Sequence, residues 1–573
     1  MSSNNIATAR IRLVSGTIIV VALVCIAKLF HLGVIHGASY VERADRQYAT
    51  PAGDVFERGS IFFTQKDGTL VSAAAVVSGY QLSVKPFLIE APDNVYEKLS
   101  AVTPIKRDVF DRAVSQKDRK DREVRIASRL TKIQADAIQA LQIPGTIVAK
   151  EKWRFYPGGS MAAHALGFVA YKDNELSGRY GIERYYNDVL SRKQDGLYIN
   201  FFAEVFSNIS DSLFRGETRE GDIVTTIEPS VQNILETELN KVMSEWSSDA
   251  VGGIIMNPKD GSIYALSVLP DFNLNEFSKV ANPLTYGNPL VEDVYEFGSV
   301  VKALTMAAGL DSGVVTPETT YNDKGYVILD KARINNFDLK ARGVVPMQEV
   351  LSQSLNTGVV HIMQKMGKQK FKDYMFAYGI GEKTGIDLPN EISGLVDNLH
   401  SPRAIEYATA SFGQGIALTP MAATRALAVL ANGGTLVTPH IATKIRYVDG
   451  TEKKLEHPMG QRVLTPETSE EISRMLSVVV DRALLGGTVK MEHYSISAKT
   501  GTAQMAREDG RGYYDDRYLH SFFGYFPSYD PRYLIFLYNV NPKNIDYASK
   551  TLTTPFINLS KFLLSYYDVP PDR

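Results

Sequence analysis

The chain has 573 residues, a formal net charge of -2, 44% hydrophobic and 22% charged residues, and one cysteine, Cys25. At ~100–200 residues per domain this length predicts three or so domains of ordinary globular composition. The near-neutral charge argues against a nucleic-acid partner, whose footprint is a basic excess, and outside the apolar N-terminal run that holds Cys25 there is no disulfide, thiol nucleophile or Cys-ligated metal.

Residues 13–35 are apolar apart from Lys28, His31 and a few small residues, long enough for a helix to cross ~30 Å of hydrocarbon. Arg10 and Arg12 precede the run without an acidic residue. This predicts a cytoplasmic tail at 1–12, a transmembrane helix at 13–35 and all later residues outside the membrane. A cleaved signal peptide is the competing reading, but the run is long for a signal core and Gly37-Ala38-Ser39 falls late. Residues 57–77 predict a β-hairpin turning at Lys66-Asp67-Gly68. Helical patterns interrupted by charge fill 83–151, and the mixed charges of 106–129 read as solvated helix faces. Residues 133–141 predict an amphipathic helix ended by Ile143-Pro144-Gly145. A loop at 153–159 and helices at 162–169 and 179–195 follow. The character changes near 215–220, which places an N-terminal domain at 36–218 and a larger one at 219–573. A strand at 223–227 and a helix at 230–246 lead into a hairpin, 251–256 and 262–268, closed by Asn257-Pro258-Lys259-Asp260-Gly261. After residue 299 the pattern is mostly helical to about 434. Strands return at 494–502, 519–526 and 533–540, and a last helix covers 553–566. Helices inserted between early and late strands predict an α+β fold, with one antiparallel sheet completed by the C-terminus and covered by helices.

Three short stretches carry chemistry. Ser299-Val300-Val301-Lys302 follows the turn residue Gly298 and opens a buried helix. Positions i and i+3 share a helix face, so the Lys302 amine can reach the Ser299 hydroxyl. A serine needs such a base to become a nucleophile, and a helix N-terminus offers free N–H groups to an oxyanion. Taken alone, the same four residues also describe a capped, solvated helix. Ser354-Leu355-Asn356 and Lys499-Thr500-Gly501 complete the triple signature of penicillin-binding proteins and related β-lactamases. A second Lys-Thr-Gly, at 383–385, follows Tyr378-Gly379-Ile380-Gly381 and is predicted to lie in a loop. A peptide substrate docks on an edge strand. Strand context therefore selects Lys499, with Gly501 keeping a side chain clear of the ligand.

With these motifs the sequence resembles the class B penicillin-binding proteins, membrane-anchored D,D-transpeptidases that cross-link peptidoglycan. Arg58-Gly59-Ser60-Ile61, Arg154-Phe155-Tyr156-Pro157-Gly158 and Gly181-Ile182-Glu183 look like the family's early and linker-region motifs. Gly413-Gln414-Gly415-Ile416, Lys499-Thr500-Gly501-Thr502 and Ser521-Phe522-Phe523-Gly524 look like its transpeptidase motifs. Phe297 and Val300 depart from it, standing where Pro and Thr are usual.

The resemblance implies an elongated α+β pedestal at 36–218 and a penicillin-binding/β-lactamase-like transpeptidase domain at 219–573. It also implies a mechanism on D-Ala-D-Ala stem peptides. Ser299 attacks the penultimate carbonyl and Lys302 takes its proton, with a pKa brought below ~10.4 by desolvation or by Lys499. Ser354 relays the proton to the leaving D-Ala, and Asn356 orients Lys302 and the substrate amide. Lys499 and Thr500 bind the terminal carboxylate, while N–H groups of Ser299 and Thr502 form the oxyanion hole. No metal or cofactor is implied. The implied partners are stem peptides and their lipid-linked precursor, β-lactams at Ser299, and a polytopic glycosyltransferase with divisome proteins, met through the transmembrane helix and N-terminal domain. A compact N-terminal region without long insertions favours a septal over an elongation role. The early domain and the anchor argue against a β-lactamase, and about a dozen cytoplasmic residues leave little to carry the signal of a penicillin-sensing receptor. A non-enzymatic scaffold would not need every reacting group to be present.

Overall fold

The computed structural model describes residues 57–116, 122–172, 175–192, 220–507 and 512–573. The expected cytoplasmic tail, the transmembrane run at 13–35 and the boundary at 218/219 lie outside them. Among the described residues no helix is long and apolar enough to cross a membrane.

The expected first hairpin forms from β1 (Ile61–Thr64) and β2 (Leu70–Val84). It is followed by α1 (Pro92–Ser100), α2 (Arg107–Val114), β3 (Val124–Leu130), α3 (Lys132–Ala140) and β4 (Thr146–Phe155). β2 outruns its predicted end at 77 because its second half pairs with both β3 and β4. The charged run 106–129 is therefore only partly helix. Its first part is α2, laced by exposed Arg107–Asp111 and Arg112–Asp108 pairs, and its end is β3. That strand buries only Ile126 and Leu130, too few apolar positions to show alternation. α3 starts in a capping box, Thr131 and Gln134 each accepting the other's backbone N–H. Leu82, Leu99, Phe110, Ile126 and Ile138 form the core of this region.

The helices predicted at 162–169 and 179–195 shrink to single turns at Ala163–Leu166, Gly181–Tyr185 and Asn187–Leu190, around the hairpin β5 (Val169–Lys172) and β6 (Glu175–Gly178). The chain doubles back too tightly for longer helices: a methyl on Gly167 would stand 1.9 Å from the Tyr180 carbonyl oxygen. Here the early motifs meet around one buried carboxylate. Arg58 Nε donates to Glu183 Oε2 at 2.6 Å, and Arg154 Nε to Oε1 at 2.6 Å. Arg154 Nη1 also donates to the Gly59 carbonyl, and the Tyr156 hydroxyl to Glu183 Oε1. Two guanidiniums compensate a carboxylate that alone could not be buried.

The rest includes β7 (Gly221–Thr225), α4 (Pro229–Trp246), β8 (Ala250–Met256), β9 (Ile263–Leu269), α5 (Val301–Asp311), β10 (Thr320–Asp323), β11 (Tyr326–Leu329), β12 (Ala332–Asn335), β13 (Gly343–Pro346), α6 (Met347–Ser352), α7 (Asn356–Met366), α8 (Pro420–Ala431), β14 (Ala442–Tyr447), β15 (Glu452–Lys454), α9 (Pro466–Val478), β16 (Ser497–Ala506), β17 (Tyr513–Phe526), β18 (Tyr533–Val540) and α10 (Thr553–Tyr566), with further helices at Lys368–Ala377 and Ala404–Ala410. The β10–β13 and β11–β12 pairs interrupt the stretch expected to be helical, in strands of four residues that are too short to announce themselves. The predicted antiparallel sheet is present in the order β16-β17-β18-β8-β9. All eight residues of β18 are buried, as a central strand covered on both faces requires. Ile535 and Leu537 pack with Leu235, Leu239, Phe556 and Leu559 of α4 and α10 on one face. Leu534, Phe536 and Tyr538 join α5 and α8 on the other. A second sheet runs β15-β14-β7-β1-β2-β3, with β4 also on β2. In it β7 lies parallel to β1 and antiparallel to β14.

Candidate active site

Ser299 lies in a 3-10 turn, Gly298–Val300, that feeds α5. Gly298 has φ 62°, and a methyl there would stand 2.7 Å from the Thr502 carbonyl oxygen. Left-handed backbone and close approach both call for glycine. The Ser299 turn is thus laid directly on β16, the adjacency that the expected oxyanion pair of Ser299 and Thr502 needs.

Ser521 on β17 fastens that contact, its Oγ donating to the Phe297 carbonyl at 2.7 Å. Gly501 faces Ser521 across the ladder. A methyl on Gly501 would come within 2.3 Å of Ser521 Oγ and 2.4 Å of the Phe297 carbonyl oxygen. Packing beneath the strand therefore calls for glycine on its own account. The two unusual neighbours of Ser299 are core residues. The Phe297 ring meets Phe536 edge-on at 5.0 Å, with Tyr295 and Tyr538 close by. Val300 is buried against Gly501.

Lys302 is 1% exposed. Its hydrogen bonds go to Ser354, to the carbonyl oxygen at 2.5 Å and to Oγ at 3.1 Å, and not to Ser299 as the i,i+3 spacing suggested. Burial first, and then the neighbouring charge of Lys499, hold the Lys302 pKa well below the usual lysine range. Lys499, also buried, is pushed down to about 8 by desolvation. Both amines are thus lowered by burial, and Lys302 also by the charge of Lys499. Lys499 Nζ donates to the Thr500 carbonyl. Lys499, Thr500, Gly501 and Thr502 all lie on β16, the edge strand.

Ser354 sits at φ 54° between α6 and α7, and Asn356 is the first residue of α7. Asn356 Nδ2 donates to the Asn335 carbonyl at 2.8 Å. The amide nitrogen is anchored to β12, which leaves Oδ1 as the acceptor for the expected contacts to Lys302 and the substrate amide. The second Lys-Thr-Gly is indeed a loop. Glu391 clasps it through Thr384 and the Gly385 N–H. Ser521, Asp323, Asn336 and Thr357 support the site without having been singled out from sequence. Only the Ser521-Phe522-Phe523-Gly524 motif hinted at Ser521, and nothing in spacing links Asp323 to Thr357.

Residues 251–559 match the model of the penicillin binding protein transpeptidase domain, and residues 56–210 that of the penicillin-binding protein dimerisation domain. The chain is 30% identical over 573 residues to stage V sporulation protein D of Bacillus subtilis, covering 97% of this chain and 85% of that protein. It is 26% identical over 530 residues to the probable peptidoglycan D,D-transpeptidase PenA of Neisseria meningitidis, covering 90% and 86%. In fold it is similar to the crystal structure of penicillin binding protein 2X from Streptococcus thermophilus, with a TM-score of 0.71, 22% identity and coverage of 90% and 80%.

Proposed function

The chain belongs to the penicillin-binding protein transpeptidase family, and on that premise we propose that Ser299 is the acylating nucleophile of a peptidoglycan D,D-transpeptidase. One observation carries the reading: a buried, pKa-depressed Lys302 bonded to Ser354 beside an edge strand that presents Lys499.

The stem peptide adds to β16 as a further strand, main chain to main chain, and its terminal carboxylate meets Lys499 and Thr500. Ser299 Oγ bonds to the penultimate D-Ala carbonyl carbon as Lys302 takes its proton. The oxyanion rests on the N–H groups of Ser299 and Thr502. The proton passes through Ser354 to the leaving D-Ala nitrogen as the peptide bond breaks, and an acceptor amine then displaces the ester and restores Ser299. β-Lactams enter by the same first step.

Labelling with a fluorescent penicillin tests the nucleophile. Wild type should label stably and Ser299→Ala should not; an equally labelled Ser299→Ala would remove Ser299 from its role. Turnover of the drug would point to a β-lactamase.

The role is septal, a reading supported by the compact region before residue 192. Depletion should give filaments, and spheres would point to elongation. The apolar run 13–35 and the arginines before it support a single-pass anchor in the cytoplasmic membrane with the catalytic residues outside. Through that anchor and the N-terminal domain the protein meets a polytopic glycosyltransferase and divisome proteins. Protease accessibility of intact and opened cells checks the orientation.

A further inference from the structure

The buried carboxylate of Asp323, at the end of β10, has no place in the chemistry above, yet it holds Thr357, the chain neighbour of Asn356. Its Oδ1 accepts from the Gly325 N–H at 2.9 Å, from Asn336 Nδ2 at 3.0 Å and from Thr357 Oγ1 at 2.8 Å. Its Oδ2 accepts from Asn336 Nδ2 at 3.0 Å and the Arg342 N–H at 3.1 Å. Asn336 Oδ1 in turn accepts the Thr357 backbone N–H at 3.2 Å. Asp323 and Asn336 are each 1% exposed.

α7 lacks a side-chain cap of its own, since its N-cap residue is Leu355. The first N–H groups of a helix need outside partners. Asn336, the residue after β12, serves as that partner, and the negative Asp323 sits at the end of the helix that favours negative charge. The same segment presents the Asn335 carbonyl, which holds Asn356 Nδ2. The start of α7 and the Asn356 amide are therefore fixed by one block of residues, β10 to β12, and the block is held together by Asp323.

We propose that Asp323, with Asn336 and Thr357, is a positioning device for acyl transfer, locking Asn356 with Oδ1 as a hydrogen-bond acceptor for the Lys302 amine or the substrate amide N–H. This rests on the assignment of Asn356 to the acyl-transfer site. Asp323 touches neither substrate nor nucleophile and acts only through Asn356.

A double-mutant cycle on the full chain tests it, reading the second-order rate of acylation by a fluorescent penicillin alongside thermal unfolding. Thr357→Val should slow acylation about tenfold, and Thr357→Ser, which keeps the hydroxyl, should restore it to within about twofold. In an Asn356→Ala background Thr357→Val should cost nothing further. Equal losses in both backgrounds, or a Thr357→Val protein that acylates like wild type, would overturn the proposal. Should Thr357→Val fail to fold, the shape-preserving Asp323→Asn takes its place in the same cycle with the same outcomes. Ser299→Ala is run in parallel. Labelling of that variant would condemn the acyl-transfer reading, whereas additive losses with Ser299→Ala unlabelled would condemn the Asp323 proposal alone.

Discussion

Lys302 donates to two oxygens of Ser354, the carbonyl at 2.5 Å and the hydroxyl at 3.1 Å. The amine is thus seated on the residue that the proposed mechanism makes its proton relay. The left-handed backbone of Ser354, φ 54°, turns both oxygens toward the amine.

The pH profile of acylation follows from the two lysines. Lys302 acts as a base when neutral, and its pKa is lowered, first by burial and then by Lys499. Acylation should therefore rise with pH along a limb centred well below the ordinary lysine value. Lys499 loses its charge as pH rises through about 8, so KM for a carboxylate-bearing peptide should climb there with kcat retained. Lys499→Gln should move the ascending limb to higher pH, but only part of the way, because burial remains. For stability the sign is the same: unfolded lysines hold protons that the folded ones release, so from about 8 up to the ordinary value near 10.5 the fold gains stability as pH rises. Steady-state kinetics and thermal melts across pH check both halves.

Gly501→Ala should be damaging for an interior reason. Its methyl would press on Ser521 Oγ and the Phe297 carbonyl, displacing the turn that carries Ser299. Overpacking of this kind costs about 1–3 kcal/mol, and a displaced nucleophile lowers acylation about 10²-fold. Ser521→Ala should relieve part of the clash, so the double variant should label faster than Gly501→Ala alone.

Glu183→Gln should leave the Arg58 and Arg154 guanidiniums buried without their charge partner. Breaking such a cluster costs about 3–5 kcal/mol, read as a lower midpoint in denaturant. The Glu183 pKa is lowered by the two arginines against the opposing effect of burial. Its stabilisation is complete above the ordinary carboxylate value and is lost as pH falls through the lowered one, so the variant should lose the wild type's steep acid limb.

Phe297→Ala should leave a cavity among Tyr295, Phe536 and Tyr538 and cost about 3–5 kcal/mol. Lys383→Ala, in the loop copy of Lys-Thr-Gly, should change stability by no more than about 0.5 kcal/mol and leave penicillin labelling as in wild type. Lys499→Ala should impair labelling.

The parts of the site carried by contiguous motifs were legible in the sequence. Ser299, Lys302, Ser354 and the edge strand of Lys499 are each announced by a few neighbouring residues and a strong periodic context. The reasons behind some of them were not. The packing beneath Gly501 became visible only with Ser521 and Phe297, which meet although they lie more than 200 residues apart in the chain. Asp323, Asn336 and Thr357 converge through short strands, β10 to β12, whose four-residue lengths carry no periodicity. The charged run before Leu130 concealed a strand because β3 keeps most of its residues in solvent.

The strand β7 has one more implication. It takes β1 on one flank and β14 on the other, so the early hairpin and the later half of the chain are stitched into a single ladder. A catalytic half cut free ahead of Gly221 would carry β7 with a bare flank of amide and carbonyl groups. Such a flank is a template for another chain, and two severed copies would heal their seams on each other.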